Sequence, residues 1–291
     1  MEGLCYFYLK IIRKVLKETG RQRLSGLATE MAYSNLLALF PAIIAGLTLI
    51  GSLNLEQNKV DFLSRQLLTF APQEVLNLID EFLEQIRIPQ GREVFSLSFF
   101  VALWIASGAI NTAMNALDCI YEIPVNQRQP FWKAKLISLI LTAGTIILIF
   151  IASFLVFVSD LLLKFFLNLL KIPSKEILLL WNFSSWIISL MILALTFALF
   201  YRYGASCWQK GTPLLPGAIF AALLWAMISK MFRLYVSHFG QYNLTYGALG
   251  TGIVLLLWLY LSSLAMLIGV QLNVTVGEAI HCFDTKDDLE G

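Results

Sequence analysis

The chain has 291 residues, 58% of them hydrophobic and 14% charged, with a mean hydropathy of +0.74. This is well above the roughly half-apolar balance of soluble domains and excludes water as the main solvent. The formal net charge of +2 provides no concentrated basic face for nucleic acid, and Cys5, Cys119, Cys207 and Cys282 form no CxxC or Cys/His cluster with zinc-ligand spacing.

Residues 1–24 form a basic segment carrying Lys10, Arg13, Lys14, Lys17, Arg21 and Arg23. The apolar run behind it is too long for a removable signal peptide, so the segment is expected to be retained. In lipid the backbone must satisfy its own hydrogen bonds, so each crossing segment must be helical and needs about 20 largely apolar residues. Six stretches qualify: residues 27–53, 94–117, 136–158, 177–201, 214–236 and 246–276. The pattern predicts an all-α integral membrane protein with six transmembrane helices in a single membrane domain over residues 25–278. An acidic tail, residues 279–291, follows and is expected to be solvated.

Residues 54–93, between the first two spans, are too many for a plain connection and carry apolar residues at helical spacing. Val60, Leu63 and Leu67 mark one amphipathic helix; Pro72 opens a second, with Val75, Ile79, Phe82, Leu83 and Ile86 on one side. These helices either rest on the membrane surface or bundle, or form a lid. With the amino terminus in the cytoplasm, 12 of the 21 Lys and Arg residues fall inside, including Arg128, Lys133 and Lys135. Short cytoplasmic loops retain such residues, so both termini are expected in the cytoplasm.

Polar groups within the spans are the candidate sites. Glu30 lies four residues before Ser34 and five before Asn35 in span one. In span two, Ser107, Gly108, Asn111, Thr112 and Asn115 form a small and polar stripe of the kind that joins helices or lines a solute path. Lys230 and Arg233 share a face near the outer end of span five, where the positive-inside rule would not choose two cations. Their roles are either to snorkel or to meet an anionic headgroup, a phosphate, or an acid such as Glu93 or Asp160. Gln241, Tyr242, Asn243, Thr245 and Tyr246, among Gly240, Gly247, Gly250 and Gly252, suit either a cavity-lining broken helix or a tight hairpin with small-residue packing. Gln271 and Asn273 are polar residues in the last span.

Several blocks resemble one known family. They are GLATEMAYSNLLALFP, ASGAINTAMNALDCIY, QPFWK, LPGAIFAALLW, FGQYNLTYGALG and LLWLYLSSLAMLIGVQLN, spread over residues 24–278. They are similar to the YihY/BrkB membrane proteins, also called ribonuclease BN, a name regarded as a misassignment. The resemblance implies a six-span inner-membrane fold with cytoplasmic termini and an association with envelope lipid handling. Gln271 stands where the family commonly has Glu, which removes a proton-carrying acid from that position.

Transport or handling of a lipid or other anionic envelope solute is therefore the leading expectation. A non-catalytic envelope scaffold is the alternative, and a ribonuclease the least favoured. The expected partners are membrane lipids and not nucleic acid, with a homo-oligomer left open. No cofactor, metal or catalytic residue is expected. RNA hydrolysis needs an acid, a base or metal ligands beside a basic groove, and the only histidines are His238 and His281.

Overall fold

The computed structural model describes residues 2–52, 92–148, 174–207, 211–239 and 243–290. Its helices are α1 (Glu2–Arg21), α2 (Leu24–Ser52), α3 (Arg92–Ile120), α4 (Phe131–Leu148), α5 (Ser174–Gly204), α6 (Leu215–Phe239) and α7 (Asn243–Glu290), with a 3-10 turn at Val125–Gln127. No strand occurs among the described residues. Helices α3 to α7 each contain a stretch long and apolar enough to cross a membrane. The 29 residues of α2 extend roughly 43 Å at about 1.5 Å per residue, and the helix packs on α3 and α7. The expected all-α membrane architecture is present. The expected amphipathic pair between the first two spans lies outside the described residues.

The basic amino-terminal segment is itself a helix. Ile11 and Val15, four residues apart, share a face of α1 and are buried. Lys14 of α1 pairs with Glu278 of α7 at 2.8 Å, so the two chain ends meet at one end of the bundle, called here the near end. Helix α7 does not stop at the expected limit of the last span but continues to Glu290.

The core gathers Leu24, Ala28 and Met31 of α2, Ala113 and Leu117 of α3, Tyr201 of α5, Ala221 of α6, and Leu267 and Val270 of α7. Large apolar side chains such as Phe100, Ile140 and Met191 point outward. In lipid this costs nothing, because the solvent is as apolar as the side chains, so small residues and hydrogen bonds must specify the helix contacts.

Candidate functional site

At the near end, α3 finishes with a hydrogen-bond pattern that usually calls for glycine. Ile123 N–H donates to Asp118 O at 2.9 Å and Glu122 N–H to Cys119 O at 3.1 Å, while Glu122 adopts φ 53°. The Glu122 carboxylate accepts from Arg21 of α1, which also bonds Glu18 at 2.5 Å; together the two acids raise the guanidinium above its ordinary pKa. Beside them, burial pushes the Tyr121 phenol well above its usual range, so it stays a neutral hydroxyl.

Asp118 is buried in the last turn of α3, where the helix dipole disfavours a carboxylate. Other segments provide its compensation. It accepts the Ser206 N–H at 2.7 Å and the Ser206 hydroxyl at 2.6 Å, and that hydroxyl oxygen accepts the Gln129 N–H at 3.1 Å. The links after α3 and after α5 are thus fastened to one acid. Sequence reasoning missed it; the available signal was an acid in the last turn of an apolar helix.

Helices α6 and α7 cross at glycines. A Cβ on Gly269 would stand 2.5 Å from the Gly217 carbonyl oxygen and 2.7 Å from the Tyr201 hydroxyl, so only glycine permits this approach. The fully buried Asn273 accepts the Gly217 N–H at 2.7 Å and donates to Leu214 O at 3.0 Å, satisfying the first turn of α6. Tyr201 donates to Met266 O at 2.8 Å. Gln271 is also buried, but its amide oxygen has no hydrogen-bond partner among the described residues.

A polar seam runs through the middle of the bundle. The Ser34 and Thr112 hydroxyls share a hydrogen bond of 2.9 Å, and Asn35 Nδ2 donates to Ser263 Oγ at 3.4 Å, linking α2 to α3 and α7. Further along α3, the Lys135 ammonium of α4 donates to Trp104 O at 2.8 Å and Ser107 Oγ at 2.6 Å, and lies 4.5 Å from the centroid of the Trp104 ring. Sequence reasoning counted Lys135 among the loop cations. In the structure its amine reaches across to α3, at the lateral face that α3 and α4 share.

The other predicted residues are dispersed. Glu30 and Asn115 are exposed and Asn111 is half-buried. Lys230 and Arg233 are both exposed on α6, three residues apart. Gln241 lies outside the described residues. Asn243, Thr245 and Gly247 belong to the first turns of α7, and the positions of their side chains are likewise outside the description. The expected grouping of these residues with Lys230 and Arg233 is therefore a grouping by helix end only. Helix α6 ends at Phe239 and α7 begins at Asn243; the residues between them, where the hairpin and broken-helix alternatives differ, lie outside the described residues.

A family described as virulence factor BrkB matches residues 15–288. The ribonuclease-like protein YfkH of Bacillus subtilis is 30% identical over 249 residues, covering 84% of this chain and 87% of that one. A UPF0761 membrane protein of Pseudoalteromonas translucida is 44% identical over 62 residues, 21% of each chain. Another, from Idiomarina loihiensis, is 35% identical over 97 residues, covering 33% of this chain and 34% of that one. No solved structure matches.

Proposed function

The chain belongs to the BrkB family of membrane proteins, and on that premise we propose that it transports or handles an anionic lipid or other anionic solute of the cell envelope. The observation that carries this reading is the group of Ser34, Asn35, Ser107, Thr112 and Ser263 inside a mostly apolar bundle, with a lysine ammonium at its edge. An ionisable group in the hydrocarbon region is expensive and often marks a solute or ion pathway, and Lys135 is such a group beside these hydroxyls. Lys230 and Arg233 add two exposed cations, three residues apart, on α6.

The test is reconstitution of the full chain with fluorescent acidic and zwitterionic lipids. Acidic-lipid movement above that of protein-free vesicles is expected, reduced by Asn35→Leu with Thr112→Val. Movement equal to that of empty vesicles would sink the reading. In that case the envelope scaffold would be favoured, because the Ser34–Thr112 and Asn35–Ser263 bonds each join two helices and serve packing equally well.

The reading places both termini in the cytoplasm of an inner membrane. A membrane-impermeant maleimide should then label Cys207, exposed at the near end, in inverted vesicles and not in intact cells. Labelling in intact cells would invert the orientation.

The ribonuclease-like name of one relative does not transfer to residues here. His238 lies at the far end of α6, while His281 lies near the other end of α7, 38 residues beyond Asn243, or roughly 57 Å along the helix. They cannot act on one bond, so no catalytic role is assigned.

A further inference from the structure

We propose that Lys135 binds the anionic headgroup of an acidic lipid at the lateral face between α3 and α4, within the hydrocarbon region. This deepens the lipid-handling reading above and rests on it.

A lysine near the end of a membrane helix normally snorkels to the nearest interface. Lys135 is five residues into α4 yet reaches in the other direction. Its partner Ser107 lies 11 residues before Asp118 on α3, about 16 Å further along the helix axis. Ser107 also lies inside the apolar stretch Phe99–Ile120, eight residues from one limit and 13 from the other. The ammonium is therefore well inside the region where charge is costly.

An ammonium has three N–H donors. Two are committed, to the Trp104 carbonyl oxygen and the Ser107 hydroxyl, and among the described residues no carboxylate pairs with the charge. The Trp104 ring face meets part of the charge, and the third N–H and the net positive charge suit an anionic group. The surface of α3 is open nearby: Gly108, adjacent to Ser107 and one turn from Trp104, has, apart from its chain neighbours and the helix's own backbone, no atom within 4 Å of where a Cβ would stand.

The direction of the opening identifies the ligand class. Trp104 is 46% exposed, and its neighbours on the two helices, Phe100 (65%), Ile105 (51%) and Leu136 (59%), project large apolar side chains outward. A ligand arriving over such a face must bring acyl chains to it and a negative group to Lys135. An acidic phospholipid or a fatty carboxylate does both. Inorganic phosphate would have to shed its water and cross hydrocarbon unaided.

The test uses the full chain in detergent and native mass spectrometry with phosphatidylglycerol, phosphatidylcholine and inorganic phosphate. Wild type is expected to bind phosphatidylglycerol about tenfold tighter than phosphatidylcholine, the scale of one charge-assisted hydrogen bond. Lys135→Gln should abolish that preference and Lys135→Arg retain it. Should Lys135→Gln fail to fold, a photo-crosslinking side chain at Ile105 in the otherwise unchanged protein gives an independent readout. It should capture phosphatidylglycerol beyond its share of a mixed bilayer.

Equal binding of the two lipids by wild type, an unchanged preference in a folded Lys135→Gln, capture in proportion to abundance, or displacement by millimolar phosphate would each overturn the assignment. Lys135-dependent binding without lipid movement would leave this inference standing and sink only the broader function. Lipid movement indifferent to Lys135→Gln would do the reverse.

Discussion

At Asp118 the end of α3 is closed by donors from other segments, while three turns away, at Trp104 and Ser107, the same helix meets one lysine and turns an aromatic side chain to lipid. Both places bury charge or polarity in an apolar chain. At the near end, both Asp118 oxygens and both hydrogen-bonding groups of the Asn273 amide are matched within the protein. At the lateral face the ammonium keeps an unused donor. The difference separates polarity that fixes helices in register from polarity left available to a ligand. Mutations at the first should cost stability, whereas those at the second should alter binding.

The largest effect is expected at the α6–α7 crossing. Gly217→Ala would push a methyl into the Gly269 backbone and should lower stability by about 3 kcal/mol, read as a thermal shift in detergent. Gly252→Ala, in α7, has open space around it and should be neutral or stabilising. Equal shifts for the two would erase the distinction between a close crossing and a free helix surface.

Asn273→Ala strands the buried Gly217 N–H and removes one of the two donors to the Leu214 carbonyl, which keeps the Ala218 N–H, and should cost about 2 kcal/mol. Asp118→Ala should cost roughly 1.5 kcal/mol, since Ser206 can recover water more easily at the bundle's end. It should also loosen the loop bearing Cys207, whose thiol donates to Gln127 O at 3.6 Å, and so speed maleimide modification several-fold. An unchanged Cys207 rate would mean that Asp118 does not fasten the two loops together.

Arg23→Gly should stabilise by about 1 kcal/mol, because Arg23 holds φ 52° between α1 and α2, where glycine carries no Cβ penalty. The smallest stability change, within about 0.5 kcal/mol, is expected for the exposed pair Lys230→Gln with Arg233→Gln. Reduced lipid movement without a thermal shift would place that pair with Lys135, on the ligand-facing side of the comparison.

The glycine, Asn273 and Asp118 contacts show why polar residues in the spans were visible in the sequence while their roles were not. Gln271 and Asn273 are two residues apart in one apolar helix and read alike. Their helical positions point them to opposite sides: Asn273 finds the start of α6, while the Gln271 amide oxygen finds no partner among the described residues. Asp118 stood inside a block recognised for other reasons. Lys135 was counted with the loop cations because snorkelling is the default for a lysine at a span's edge. The amino-terminal segment showed its charges more plainly than the spacing of Ile11 and Val15, and its helix was not foreseen.

The sequence by itself determined that this chain lives in lipid as a bundle of long helices, because hydrocarbon leaves the backbone no other way to satisfy its hydrogen bonds. That constraint depends on the length and composition of each segment, which are local and legible. Only the tertiary structure decided that Gly217 meets Gly269, that Asp118 holds Ser206, and that Lys135 reaches inward to Trp104 and Ser107. Each of those contacts depends on the angle and register at which two helices cross. Where every helix face is apolar, lipid does not choose among faces, and only small residues and a few polar side chains, meeting across long sequence separations, can set them.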